Sequence, residues 1–222
     1  MTKVKTIFIT GCSSGIGYTT AIELKKRGHR VICSARKPDD VVHLKSEGFD
    51  CLQLDLADSA SIQQAVEQLI QLTDGKIDAV FNNGAFGQPG AVEDLSRDTL
   101  RNQFETNFFG THELTNLLIP LMRQQGHGRI IYNSSVLGFV AMKYRGAYNA
   151  SKFALEGLAD TLRLELRGTG IHIALIEPGP IESHFRKNAF AMYQKNIDPS
   201  NSYHRETYQA MEARLQKKGP AA

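Results

Sequence analysis

The chain has 222 residues, 41% of them apolar and 22% charged, with a formal net charge of +3. That suits one soluble α/β domain with a sizeable core. The basic residues are scattered, which leaves no electrostatic footprint for nucleic acid, and no run of about 18 apolar residues is present to span a membrane. From the N-terminus the first expected strand is Thr6–Thr10, and Ile7-Phe8-Ile9 is continuous apolar sequence. Strands covered by helices on both faces look like this. A helix is expected over Gly15–Arg27, ending in a cationic turn followed by Gly28. Next come a strand at Arg30–Ser34, a helix at Pro38–Glu47 and a strand at Cys51–Asp55. Asp58-Ser59 supplies an N-cap oxygen for a helix at Ser59–Leu72. Ala79–Asn82 is a strand and Arg97–Gln124 a long helix. Arg129–Asn133 is a strand, Ala147–Arg167 a helix and Ile171–Ile176 the last strand. Phe185–Ser202 lacks a clear period and is expected to be a mobile loop or a surface insertion. A final helix is expected at Tyr203–Gln216. Alternating strands and helices argue for a doubly wound, Rossmann-like parallel sheet in a single α/β domain over 1–222, with a substrate-loop region at 184–216.

No cationic leader precedes the first strand, so a cytoplasmic protein is expected. Cys12, Cys33 and Cys51 form no CxxC pair and are expected to be free thiols. The seven histidines show no ligand spacing, so no metal site is expected.

The first strand runs into Thr10-Gly-Cys-Ser-Ser-Gly-Ile-Gly17 and then directly into a helix. A turn this tight against a dinucleotide needs glycine for positive φ and for close backbone approach. The helix N-terminus then offers free N–H groups to the pyrophosphate. Gly11, Gly15 and Gly17 fit those roles, with Ser13, Ser14 and Ile16 between them. A lone glycine triplet is also what a plain strand-to-helix turn needs; its place after the first strand raises its value. The second strand ends Cys33-Ser-Ala-Arg36, with no acidic residue before Asp39. An acidic residue there would bind a ribose 2′-hydroxyl, whereas arginine accommodates a 2′-phosphate, so NADP(H) is expected ahead of NAD(H). Asp55 either accepts from the adenine amino group or caps the next loop, and Leu56 beside it joins the cofactor set.

Tyr148-Asn-Ala-Ser-Lys152 places a phenol and an ammonium on one helix face. A neighbouring cation favours phenolate, which suits proton exchange with a substrate oxygen. Alone, such a pair is common on surface helices. Ser135 follows the strand Arg129–Asn133, so its hydroxyl is expected at the carboxyl end of the sheet, where ligands bind. Asn107 lies among apolar helix residues and needs partners if buried.

Taken together, these residues resemble the short-chain dehydrogenase/reductase family. The resemblance runs from residue 5 to about 184 and includes Asn82-Asn83-Gly84-Ala85 and Pro178-Gly179 in family order. It implies a catalytic tetrad of Asn107, Ser135, Tyr148 and Lys152. Tyr148 is then the acid/base and Ser135 orients the carbonyl. Lys152 binds the nicotinamide ribose and lowers the phenol pKa, and Asn107 supports a proton relay. Asn82, Asn83 and Gly84 join the cofactor site, with Pro178, Gly179, Ile181 and Ser183 against the nicotinamide. Phe86, Val136, Leu137, Phe139 and Tyr144 are the candidate substrate wall. Gly-Cys-Ser-Ser-Gly-Ile-Gly, Ser-Ala-Arg36 and Glu177-Pro-Gly-Pro-Ile are similar to NADP(H)-using reductases of aldehydes, retinoids and ketosteroids. A small-molecule carbonyl or alcohol and a homodimer are the implied partners. Two features depart from the pattern: Gly84-Ala85 is reversed, and the helix and final strand the family usually adds are not seen before Ala222. The alternatives are an NADP-binding regulator without turnover and a nucleotide-sugar epimerase relative. The intact Tyr148/Lys152 pair speaks against the first, and the glycine spacing against the second.

Overall fold

A computed structural model describes residues 4–216. Six parallel strands lie in the order β3-β2-β1-β4-β5-β6. They are β1 (Thr6–Ile9), β2 (Arg30–Ala35), β3 (Asp50–Gln53), β4 (Ala79–Asn82), β5 (Gly128–Asn133) and β6 (Ile171–Ile176). Each falls within a residue or two of its expected place, because burial on both faces demands an apolar run whatever follows it.

Strand alternation divides the core. Phe8, Ile32, Val80 and Ile130 point to one face and meet Ile62, Leu69, Leu114, Leu118 and Leu155. Those belong to α3 (Ser59–Thr73), α5 (Gly110–Gln125) and α6 (Gly146–Glu165). Ile7, Ile9, Val31 and Cys33 point to the other face and meet Ala21, Val41 and Leu44, from α1 (Gly15–Lys26) and α2 (Pro38–Ser46). Cys12, Cys33 and Cys51 are buried free thiols within this second layer.

Two expectations change. The helix expected over Arg97–Gln124 is broken: α4 (Arg97–Phe104) passes into a π turn at Glu105–Phe109 before α5 begins. At that break, a Cβ on Gly110 would lie 1.7 Å from the Leu56 carbonyl oxygen. Only glycine lets α5 seat on the loop after β3. Phe185–Ser202 is not an irregular loop. It folds as α7 (Phe185–Asn196) and a short 3-10 turn at Pro199–Asn201, followed by α8 (Arg205–Gln216). Ala189 and Tyr193 of α7 pack with Tyr208, Met211 and Leu215 of α8 in a third apolar cluster. This cluster is separate from both sheet layers. Among the described residues no helix is long and apolar enough to cross a membrane.

Candidate active site

The strand order reverses direction at β1 and β4, and the loops leaving their carboxyl ends open a crevice there. Gly11 (φ 69°) and Gly15 (φ 63°) take left-handed backbone. A Cβ on Gly11 would stand 2.8 Å from Gly84 Cα, and one on Gly17 would stand 2.4 Å from the Gly11 carbonyl oxygen. The loop therefore closes only with glycine. Thr10 ties it to the β4 loop: its Oγ1 accepts from the backbone N–H of Asn83 (2.9 Å) and Gly84 (2.8 Å). The Asn83 amide donates back to the carbonyls of Thr10 (2.9 Å) and Gly11 (3.0 Å). The reversed Gly84-Ala85 leaves this lock intact.

Ser14 heads α1 but forms no side-chain cap, whereas Asp58 caps α3 by accepting from Ala60 N–H. The first N–H groups of α1 thus remain for an anion. Asn133 Oδ1 is buried without a partner beside the same crevice. An open helix N-terminus, a glycine cradle and an orphaned acceptor fit a dinucleotide.

One cavity of about 290 Å³ joins Gly11, Ser13, Ser14, Gly15, Ile16, Asn83 and Gly84 to Ser135, Tyr148 and Lys152. Pro178, Gly179, Ile181 and Ser183 complete that wall. Ser135 is held by its own turn, its Oγ accepting from Leu137 N–H at 3.1 Å. Lys152 Nζ donates to the Asn133 carbonyl at 2.6 Å and lies 5.6 Å from the Tyr148 ring centre. Burial pushes the Tyr148 phenol up to about 12, and the neighbouring Ser135 hydroxyl partly offsets this. Burial also brings Lys152 down to about 8, opposed by the Glu156 carboxylate. Desolvation thus sets the direction, and the lowering influence on the phenol comes from Ser135 in place of the expected Lys152. The phenol is protonated at neutral pH and is poised as a proton donor.

Asn107, Asn82, Asp55, Leu56 and Arg36 lie outside this cavity. Asn107 is buried in the π turn. Its Oδ1 accepts from Phe86 N–H (3.1 Å), and its Nδ2 donates to the Phe86 carbonyl (2.9 Å) and Ser151 Oγ (3.2 Å). It clamps the β4 loop to α6, and Lys152 is not among its partners. Asn82 turns into the core, its Nδ2 donating to Thr115 Oγ1 at 3.1 Å. Asp55 accepts from Ala57 N–H at 3.0 Å, so it caps its own loop, and Leu56 is buried. Arg36 is exposed just past β2. Ser183 Oγ accepts from Phe185 N–H at 3.3 Å at the start of α7. Of the candidate substrate wall, Val136 and Leu137 line the cavity; Phe139 is mainly exposed, and Tyr144 packs against α8.

Sequence reasoning missed Asn133, Phe185 and Arg145. Asn133 bridges the site, since its Nδ2 donates to Asn83 Oδ1 at 2.9 Å while its carbonyl holds Lys152. As the last residue of a strand it carried no distinguishing signal. Phe185 stands edge-on to Tyr148, ring centres 5.4 Å apart. Its neighbour Gly87 makes room, because a Cβ there would lie 2.8 Å from the Phe185 ring.

A parallel sheet with a glycine crevice at its switch point and a buried Tyr–Lys pair beside it defines a dinucleotide-binding oxidoreductase. Comparison with known proteins gives the family. The family model for short chain dehydrogenase matches residues 5–194. Uncharacterized oxidoreductase YbbO of Escherichia coli is 48% identical over 184 residues, covering 83% of this chain and 68% of that protein. A 3-ketodihydrosphingosine reductase of Bacteroides thetaiotaomicron is 36% identical over 199 residues, covering 89% of this chain and 72% of its own. Among solved structures, a short chain dehydrogenase/reductase from Burkholderia phymatum in complex with NAD superposes with a TM-score of 0.84 at 22% identity, covering 98% of this chain and 80% of that one. Actinorhodin polyketide ketoreductase with NADPH gives 0.77 at 26% identity, covering 96% and 83%. The chain belongs to the short-chain dehydrogenase/reductase family.

Proposed function

We propose that the chain reduces an aldehyde or ketone with NADPH, Tyr148 donating the proton to the carbonyl oxygen. The observation that carries this reading is one cavity holding Ser135, Tyr148 and Lys152 beside the glycine crevice. The nicotinamide supplies the hydride when bound. Ser135 hydrogen-bonds the carbonyl oxygen and sets it against the phenol. Lys152 places its ammonium below the phenol ring and stabilises the phenolate left after proton transfer. Asn107 keeps the Phe86 loop and α6 in register, so it positions Tyr148 and Lys152 on α6. Gly11, Gly15 and Gly17 would admit the pyrophosphate, while Pro178, Gly179, Ile181 and Ser183 would border the nicotinamide. Arg36 supports NADP(H) over NAD(H), being exposed at the end of β2 where a 2′-phosphate would lie. The helical pair 185–216 serves as the substrate cover. A 3-ketodihydrosphingosine reductase among the relatives supports a ketone as substrate.

The test is Tyr148→Phe, followed by NADPH consumption with a panel of aldehydes and ketones. Turnover falls by 10³-fold or more, on the order of 4 kcal/mol in the barrier, while NADPH binding persists. Wild-type rates in that variant would sink the mechanism. Comparing kcat/KM for NADPH and NADH checks the cofactor, and a preference for NADH removes Arg36 from its role.

A further inference from the structure

The substrate end of the cavity carries a charge pattern that proton transfer to a carbonyl does not need. Arg145, Arg186 and Arg214 all line it, from the turn before α6, from α7 and from α8. Lys152 adds a further cation, and the described lining contains no Asp or Glu. Arg145 is the best-defined of the three. It stands three positions before Tyr148. The residue ahead of it, Tyr144, has φ 62°, a left-handed conformation uncommon for a bulky side chain. Three contacts hold Tyr144 there: Gly90 N–H donates to its carbonyl at 3.1 Å, its hydroxyl meets His204 Nδ1 at 3.2 Å, and its ring packs on Tyr208. The strained turn delivers Arg145 to the cavity wall.

Arg145 is only partly exposed there. Its guanidinium donates to the Tyr144 carbonyl at 3.4 Å, and none of the described carboxylates is within ion-pair distance of it. Burial, then Arg214 and Arg186, make its proton harder to hold. A partly desolvated guanidinium without a carboxylate is costly in isolation. A ligand carboxylate removes it, because the planar fork accepts that group through two parallel hydrogen bonds. The rest of this wall is apolar: Val136, Leu137, Met142, Phe185 and Leu215.

We propose that the cavity selects a carbonyl compound that also bears a carboxylate, separated by an apolar spacer, with Arg145 as the carboxylate anchor. This rests on the carbonyl-reductase reading and names its substrate class.

The test compares 4-carboxybenzaldehyde with benzaldehyde, followed through NADPH consumption, in wild type, Arg145→Gln and Arg145→Lys. Wild type favours the carboxylate by about tenfold or more in kcat/KM, mostly through KM, and added salt erodes the preference. Arg145→Gln lowers kcat/KM for 4-carboxybenzaldehyde about tenfold more than for benzaldehyde. Arg145→Lys, which keeps charge but loses the fork, gives an intermediate ratio. A wild-type ratio of one or below, or the same ratio in Arg145→Gln, overturns the proposal. Calorimetric titration of terephthalate into the NADPH-loaded protein reads the anchor without turnover. If neither aldehyde reacts but terephthalate binds wild type and not Arg145→Gln, the reductase reading fails and the anion site stands. If the aldehydes react and terephthalate binds both proteins alike, the reverse holds.

Discussion

Tyr148, Lys152 and Glu156 lie one helical turn apart on the buried face of α6. Their spacing sets the protonation of the site. Tyr148, pushed up to about 12 by burial, stays protonated across any ordinary assay. Lys152, brought down to about 8 by burial, is the group that titrates. Glu156 is the carboxylate that raises Lys152, and burial raises Glu156 itself. The Ser134 hydroxyl, buried with it beside Gly138, partly offsets that rise. The sign follows directly. Lys152 is charged below about pH 8 and neutral above it, so reductive kcat/KM holds through neutrality and falls on the alkaline side. Glu156→Gln removes the opposing charge and lets desolvation pull Lys152 lower still. The alkaline limb then moves toward neutrality by about one pH unit. A pH profile of kcat/KM for both proteins checks this, and an unmoved limb rules out Glu156 as the counter-charge.

At the scale of elements, the tightest joint is where α5 meets the loop after β3. A methyl at position 110 would overlap the Leu56 carbonyl, and neither partner is the end of a flexible side chain. Gly110→Ala therefore costs about 2–3 kcal/mol, roughly 5–10 °C in Tm. Thermal unfolding checks this, and an unchanged Tm means α5 can slide without loss. The same joint shows what the sequence could and could not express. The six strands were legible because burial on both faces writes itself as apolar runs such as Ile7-Phe8-Ile9. The glycine loop and the Tyr148/Lys152 pair were legible because a strand end and a helical spacing fix where they must stand. The π turn was not, since α4 buries Thr99 and Gln103 and so offers no apolar stripe whose phase could be seen to break. α7 was not, because Ala189 and Tyr193 are its only buried residues and its other apolar residues, Phe185, Phe190, Ala191 and Met192, follow no single helical stripe. Arg145 was hidden for a different reason: its place depends on a left-handed Tyr144, which no propensity announces.

For the whole molecule, the three apolar clusters imply two units of different cooperativity. The sheet with its two helix layers forms one. The cover made by α7 and α8 has its own cluster, which takes in Ala91, Leu95 and Tyr144 from outside the cover, and polar contacts join it to the loop after β4. Chief among them is Tyr208, fully buried, whose hydroxyl accepts from Ala91 N–H at 2.8 Å and donates to Asp94. Asp94 also receives Ser202 Oγ at 2.6 Å, so one carboxylate gathers two points of the cover. Tyr208→Phe keeps the ring in the cluster and strands the buried Ala91 N–H, at a cost of about 1–2 kcal/mol. That cost falls on the cover, because local opening draws on the least stable unit first. Hydrogen exchange should quicken across 185–216 while β1, β4 and β5 hold their protection, and KM for the carbonyl substrate should rise. Uniform quickening across the sheet would instead make cover and sheet one cooperative body. A cover that opens alone admits substrate while Ser135, Tyr148 and Lys152 stay anchored through β5, its following turn and α6, and Tyr148 gives up its edge contact with Phe185.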